Sequence, residues 1–187
     1  MSHHVLALDS AGSPSRWLKP KDAALYYVKG LVAWSTGESE FVLRGGTCAL
    51  TGEQSRIVTA SIISIKGQDF MVRNYDRAPT LTKEKLIQRD RNMCAYCGGI
   101  FKDQNLEMEH IQPESRAGAT SWMNLVCACR YCNNKKSNRT PEEAGMKLQF
   151  VPYVPSRHED FLMSNRQILA DQMEFLRLSL PKHSRLL

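Results

Sequence analysis

The chain has 187 residues, 42% of them hydrophobic and 24% charged, so it can bury a core and is not a disordered tail. It contains no apolar run near the ~20 residues of a membrane span, and its first ten residues lack the pattern of a secretory signal. We therefore expect a soluble, cytoplasmic protein with no membrane partner. The net charge of +6 favours a polyanionic partner, but it is spread along the sequence and does not locate a binding surface.

Residues 1–78 have the pattern of a small α+β module. The run VLALD predicts a short strand, and apolar residues at helical spacing predict a helix over Lys21–Val32. Further strands, separated by glycines, are predicted at Phe41–Leu43, Arg56–Ala60 and Phe70–Val72. No catalytic group of side chains is recognisable in this segment.

Residues 79–150 contain a helix followed by a strand–loop–strand–helix pattern. Thr82 has the residue type and position of a helix N-cap. Strand patterns at Leu106–Ile111 and Trp122–Cys127 flank a polar loop, and Arg130–Asn138 has the pattern of a helix. This order predicts a ββα unit.

Residues 151–187 begin with the proline-marked linker VPYVPS. Ser156 and Glu159 form the S-x-x-E capping box that starts a helix. Apolar residues then recur at helical spacing, at Leu162, Leu169, Met173, Leu176 and Leu180. We expect an amphipathic C-terminal helix that docks on the protein's own core, with a homodimer through this helix as the alternative.

Four of the six cysteines form two C-x-x-C pairs, Cys94 with Cys97 and Cys129 with Cys132. Two such pairs can place four thiolates around one ion, which is the ligand set of a structural zinc site. A redox motif or inert thiols are the alternatives, and the matched pairs favour zinc over both. The remaining cysteines, Cys48 and Cys127, are expected to be small core residues.

The residues with catalytic chemistry lie between the two C-x-x-C pairs or directly after the second pair. His110 can accept a proton from water near pH 7, as phosphodiester hydrolysis requires. Glu109, Asn124 and Asn133 carry carboxylate and amide oxygens, the ligand types that suit Mg²⁺ or Mn²⁺. Each residue alone is uninformative, whereas their joint placement in a zinc-stapled ββα pattern indicates a one-metal nuclease.

Three segments in order, PTLTKEKLIQRDRNMCAYCG, LEMEHIQPESRAG and WMNLVCACRYCNNKKSNRTPEEAGM, resemble the HNH endonuclease family in its zinc-bound subgroup with two C-x-x-C pairs. The resemblance covers residues 79–147. It implies an α+β fold with a zinc-stapled, treble-clef-like ββα-metal domain, structural Zn²⁺, catalytic Mg²⁺ or Mn²⁺, and DNA as substrate. The expected products carry 5′-phosphate and 3′-hydroxyl ends.

The resemblance also implies a role for each matching residue. His110 matches the general base, Glu109 and Asn133 match the ligands of the catalytic ion, and Asn124 matches the asparagine that pins the active-site loop. Cys94, Cys97, Cys129 and Cys132 match the zinc ligands. The expected contacts with DNA phosphates are Arg116, Lys136 and Arg139.

The sequence departs from the family pattern at two positions. Glu109 stands where aspartate is commoner, which adds one methylene to a metal ligand. Ala117 replaces a family glycine, which matters only if the backbone there needs a positive φ. A non-catalytic zinc module that binds DNA is the main alternative function, and a transcription regulator is less favoured because no helix-turn-helix pattern is apparent.

Overall fold

The computed structural model describes residues 3–67, 78–165 and 167–186, and the chain divides into two compact units. The first unit comprises residues 1–77 and 165–179, and the second comprises residues 78–164 and 180–187. The architecture is α+β, as predicted. Residues 151–164 and 180–187 belong to the second unit, and residues 165–179 belong to the first.

The first unit contains a four-stranded sheet and a helix that packs on it. Its elements are β1 (Val5–Leu8), β2 (Pro14–Leu18), α1 (Pro20–Val28), β3 (Val32–Thr47) and β4 (Gln54–Ile65). The strand order in the sheet is β2-β1-β4-β3, in which β1 is parallel to β4 and the β1–β2 and β3–β4 pairs are antiparallel. Buried residues of β1, β4 and α1 form the core beneath this sheet.

Two predicted short strands of this unit belong to a long hairpin. Strand β3 has 16 residues and β4 has 12, and both extend well beyond the predicted segments. Gly45 lies within β3 rather than breaking it. A Cβ at this position would lie 2.3 Å from Ser55 Oγ on the paired strand, so the close approach of the two strands favours glycine. Cys48 lies exposed beside this hairpin's turn, so its predicted place in the core was wrong. The predicted strand Phe70–Val72 falls outside the described residues.

The C-terminal segment forms two short helices rather than one, α4 (Arg157–Ser164) and α5 (Ala170–Arg177). Helix α4 belongs to the second unit and α5 to the first. Leu162 and Leu176 are buried within the chain, and nothing in the described residues supports a dimer through this segment. None of the described helices is long and apolar enough to cross a membrane.

The second unit places a two-stranded antiparallel ribbon beside three helices. Its elements are α2 (Lys83–Arg89), β5 (Leu106–His110), β6 (Leu125–Cys129), α3 (Arg130–Lys136) and α4. Thr82 caps α2, because its Oγ1 accepts a hydrogen bond from Lys85 N at 3.3 Å. The ribbon pairs Leu106 with Cys129 and His110 with Leu125, and α3 follows β6 directly. The predicted ββα order is therefore present.

Candidate active site and zinc site

The four cysteines of the C-x-x-C pairs converge on one point, with their Sγ atoms all within 4.8 Å of one another. Cys94 and Cys97 lie in a tight turn closed by the Gly98 N–H on Cys94 O at 2.9 Å. Cys129 ends β6, and Cys132 lies in α3. A Zn–S bond of about 2.3 Å separates tetrahedral sulfurs by about 3.8 Å, so this donor set fits zinc.

The surroundings of the cluster act differently on its thiols. Burial raises the pKa of Cys97 and Cys132. Burial also opposes ionisation of Cys94, but hydrogen bonds from backbone N–H groups, that of Cys129 foremost, lower its pKa. Backbone N–H groups that donate to a sulfur stabilise its thiolate form, which is the form that binds a metal cation. The cluster is therefore suited to four thiolates whose charge a cation neutralises.

Strand β5 and helix α3 face each other through two polar pairs. Glu107 and Glu109 lie two residues apart on β5, so strand alternation puts both side chains on one face. Asn133 and Lys136 lie three residues apart on α3, which puts them on one helix face. Asn133 Nδ2 donates to Glu107 Oε2 at 2.6 Å, and Lys136 Nζ donates to Glu109 Oε1 at 2.7 Å.

Lys136, which is predicted to contact DNA phosphates, is fully buried in this structure. Its ammonium forms an ion pair with Glu109, which is itself only 9% exposed. A lysine is rarely buried without a compensating charge, and here the compensating group is the predicted metal ligand. In this structure the ammonium of Lys136 therefore neutralises the carboxylate of Glu109 in the interior.

His110 ends β5 on the face opposite Glu109. Its Nε2 lies 3.1 Å from Thr120 Oγ1, in the loop between β5 and β6. Among the described residues, Thr120 is the only hydrogen-bond partner of this imidazole, so no described protein group engages Nδ1. Sequence reasoning did not identify Thr120.

Asn124 ties together the two ends of the loop that follows His110. Its Oδ1 accepts from Gln112 N at 2.8 Å, and its Nδ2 donates to Gln112 O at 3.0 Å and Ala119 O at 2.9 Å. The backbone adds a hydrogen bond from Ile111 N to Asn124 O at 2.9 Å. These four hydrogen bonds hold the loop against the end of β5, where His110 lies.

The same loop contains two positions with unusual backbone demands. Ala117 has φ = 61°, in the left-handed region that disfavours a side chain. Gly118 packs so closely that a Cβ would lie 1.9 Å from Gln112 O. The replacement of the family glycine by Ala117 therefore does fall at a strained position.

Arg89 supports this loop from beneath and was also missed by sequence reasoning. The side chain is fully buried and donates from Nη1 to Trp122 O at 2.6 Å and from Nη2 to Leu125 O at 2.8 Å. Its Nε pairs with Asp90 Oδ1 at 2.7 Å. Because Trp122 and Leu125 flank Asn124, the buried guanidinium fixes the turn that presents this asparagine.

Residues 94–149, from the first zinc cysteine to the residue before Phe150, match the family model of the HNH endonuclease. These residues form an HNH endonuclease domain. The match contains both C-x-x-C pairs, the whole ββα unit and the loop held by Asn124. It covers the second unit in part and none of the four-stranded sheet.

The HNH domain is also similar to segments of much longer proteins. The chain is 41% identical over 59 residues to the CRISPR-associated endonuclease Cas9 of Corynebacterium diphtheriae, which is 31% of this chain and 5% of that protein. It is 36% identical over 70 residues to the Cas9 endonuclease of Campylobacter jejuni, which is 34% of this chain and 7% of that protein. The chain thus matches only a small fraction of the length of these relatives.

The two arginines predicted to contact DNA phosphates are exposed on the HNH domain. Arg116 forms a two-pronged ion pair with Glu143, with its Nη1 2.8 Å from Oε1 and 2.7 Å from Oε2. Arg139 donates from Nε to Lys136 O at 3.3 Å, at the end of α3. Both guanidinium groups therefore form hydrogen bonds within the domain, and the charge of Arg116 is neutralised by the carboxylate of Glu143.

The face of the HNH domain between β5 and α3 fits a divalent ion by its donor chemistry. Within the described residues, Glu109 Oε2 and Asn133 Oδ1 accept no hydrogen bond, which leaves two hard oxygen donors open. The Tyr96 hydroxyl is buried without a hydrogen-bond partner among these residues. Burial and then the charge of Glu109 raise its pKa, which keeps the phenol neutral and able to donate.

Proposed function

We propose that this protein is a divalent-metal-dependent endonuclease that hydrolyses phosphodiester bonds of DNA. The observation that supports this most strongly is that β5, which carries Glu109 and His110, packs against α3, which carries Asn133, in the zinc-stapled ββα unit. The HNH family match and the two endonuclease relatives support the same reaction class. A zinc module that only binds DNA has no use for this combination of a base and open oxygen donors.

The tetrathiolate site would hold a structural zinc ion. Four protein ligands complete a tetrahedral shell and leave no position for water or substrate. Cys94, Cys97, Cys129 and Cys132 connect the turn after α2 to the junction of β6 and α3. Zinc would thereby hold together the elements that present His110 and Asn133, without taking part in the reaction.

Glu109 and Asn133 would hold a Mg²⁺ or Mn²⁺ ion through carboxylate and amide oxygens. When bound, the ion stabilises negative charge on the phosphate and on the leaving 3′ oxygen. His110 takes a proton from the attacking water at Nδ1, since Thr120 engages Nε2. Asn124 keeps the imidazole in place through the loop that it closes. Attack by this water leaves 5′-phosphate and 3′-hydroxyl ends.

The test is cleavage of supercoiled plasmid by the zinc-loaded protein with Mg²⁺, with Mn²⁺, and with either ion plus excess EDTA. We expect nicked or linear DNA only with a free divalent ion. Ligation of the products by DNA ligase without prior kinase treatment would identify 5′-phosphate and 3′-hydroxyl ends. Shifted but uncut DNA under every condition would instead support the non-catalytic DNA-binding module.

A further inference from the structure

Glu107 is a second carboxylate on the β5 face that carries Glu109. It contacts α3 one turn before Lys136, through the 2.6 Å hydrogen bond from Asn133 Nδ2. Arg130 Nε lies 3.5 Å from its other oxygen, Oε1. The side chain of Glu107 is 36% exposed, so neither contact is required to satisfy a buried charge.

The Glu107 contact resolves an ambiguity that every asparagine ligand has. The amide of Asn133 can present either Oδ1 or its NH₂ group to a neighbour, and only Oδ1 can bind a hard cation. An ionised carboxylate can accept hydrogen bonds but cannot donate them. The group that faces Glu107 must therefore be the NH₂ group, and Oδ1 must point away from Glu107.

We propose that Glu107 is a positioning residue for the divalent-ion site and acts by fixing the amide orientation of Asn133. This inference rests on the proposed function, because it concerns the ion that Glu109 and Asn133 would hold. Glu107 itself is not a ligand in this scheme. Arg130 holds the second carboxylate oxygen and limits rotation of the Glu107 side chain.

If Glu107 acts only through Asn133, the effects of substituting these two residues on metal affinity should not add. Loss of a residue that orients a metal ligand typically weakens metal binding about 10- to 100-fold. Glu107→Ala removes the acceptor, and Glu107→Gln restores the ambiguity, because its amide can either accept from Asn133 Nδ2 or donate to Asn133 Oδ1. A direct ligand or a purely electrostatic group would instead contribute to binding whether or not Asn133 is present.

The experiment is Mn²⁺ binding to the zinc-loaded full chain without DNA, followed by the electron paramagnetic resonance signal of free Mn²⁺. The variants are Glu107→Gln, Glu107→Ala, Asn133→Ala and the Glu107→Ala/Asn133→Ala double variant. Glu114→Ala, an exposed acidic residue in the loop after β5, is the matched control for loss of charge. Zinc content and thermal melting establish that each variant is folded.

We expect Glu107→Ala to weaken Mn²⁺ binding about tenfold and Glu107→Gln to weaken it as well. The double variant should bind no more weakly than Asn133→Ala alone. The inference is overturned if Glu107→Ala or Glu107→Gln binds like wild type, or if the Glu107→Ala loss persists without Asn133. A wild-type protein that neither binds Mn²⁺ nor cleaves DNA would overturn the proposed function as well.

Discussion

Lys136 Nζ lies 2.7 Å from Glu109 Oε1, and this pair joins helix α3 to strand β5 in the interior of the HNH domain. The lysine is fully buried, and the glutamate side chain is 11% exposed. The pair has two consequences. It places Glu109, the predicted metal ligand, in the buried interior of the domain. It also engages only one carboxylate oxygen of Glu109, so the other oxygen remains available to a divalent ion.

Loss of the lysine should therefore destabilise the fold. Lys136→Met leaves Glu109 without its partner, and breaking a buried ion pair in this way costs about 3 kcal/mol of unfolding free energy. The double variant Lys136→Met/Glu109→Gln should recover most of that loss, because neither charge remains. Urea denaturation of zinc-loaded protein measures both, with exposed Lys135→Met as control. Equal stability of Lys136→Met and wild type would contradict the buried pair.

Variants of the two proposed ligands should change the metal dependence of cleavage. Glu109→Gln removes the negative charge at the site, and Asn133→Ala removes the second oxygen donor, so each should raise the Mg²⁺ concentration needed for half-maximal cleavage. Glu109→Asp restores the commoner family residue and should retain activity, with a changed balance between Mn²⁺ and Mg²⁺. Metal titrations of plasmid cleavage measure this. Unchanged metal dependence in both Glu109→Gln and Asn133→Ala would place the catalytic ion elsewhere.

The thiol cluster predicts one tightly bound zinc per chain. Cys97→Ser should lose the ion and the cooperative unfolding of the second unit, because binding energy at a structural zinc site is folding energy. Cys48→Ser, at an exposed cysteine outside the cluster, should retain both. Elemental analysis and thermal melting provide the measurements. Metal-free wild-type protein that still melted cooperatively would refute the role of zinc.

The strained loop position offers a stabilising substitution. Ala117 adopts φ = 61°, which costs an alanine about 1 kcal/mol relative to its ordinary conformations. Ala117→Gly should raise the unfolding free energy by about 0.5 kcal/mol after the greater unfolded-state entropy of glycine is subtracted. Ala119→Gly, in the same loop without a positive φ, should not stabilise the protein. The comparison uses chemical denaturation, and a less stable Ala117→Gly would show that the strain is absent.

The cluster of four cysteines and the order of the HNH elements could be predicted because they depend on local patterns. Two C-x-x-C pairs indicate a four-thiolate cluster whatever the rest of the fold is. The ends of β5 and β6 lie within a few residues of the ends predicted from the strand patterns in the sequence. The pairing of Lys136 with Glu109 could not be foreseen. A lysine at the end of a helix is usually solvated, and only the packing of α3 on β5 buries this one.

Other features were visible in the sequence but had no distinguishing pattern. Alternation along LEMEH puts Glu107 beside Glu109, yet only the structure shows that Asn133 bonds to Glu107. The break between α4 and α5 was hidden because the apolar spacing continues across it. Tertiary packing decides such cases, since each helix docks on a different unit.

His110 is proposed to be the base of a DNA-cleaving site, and the single-turnover rate of plasmid nicking by His110→Ala tests this role most directly. His3→Ala, at an exposed histidine near the N-terminus, is the matched control, and both proteins are compared at equal zinc content in Mg²⁺. We predict a loss of about 10²- to 10⁴-fold for His110→Ala with its melting temperature unchanged, and wild-type nicking for His3→Ala. Nicking by folded His110→Ala at the wild-type rate would exclude His110 as the base.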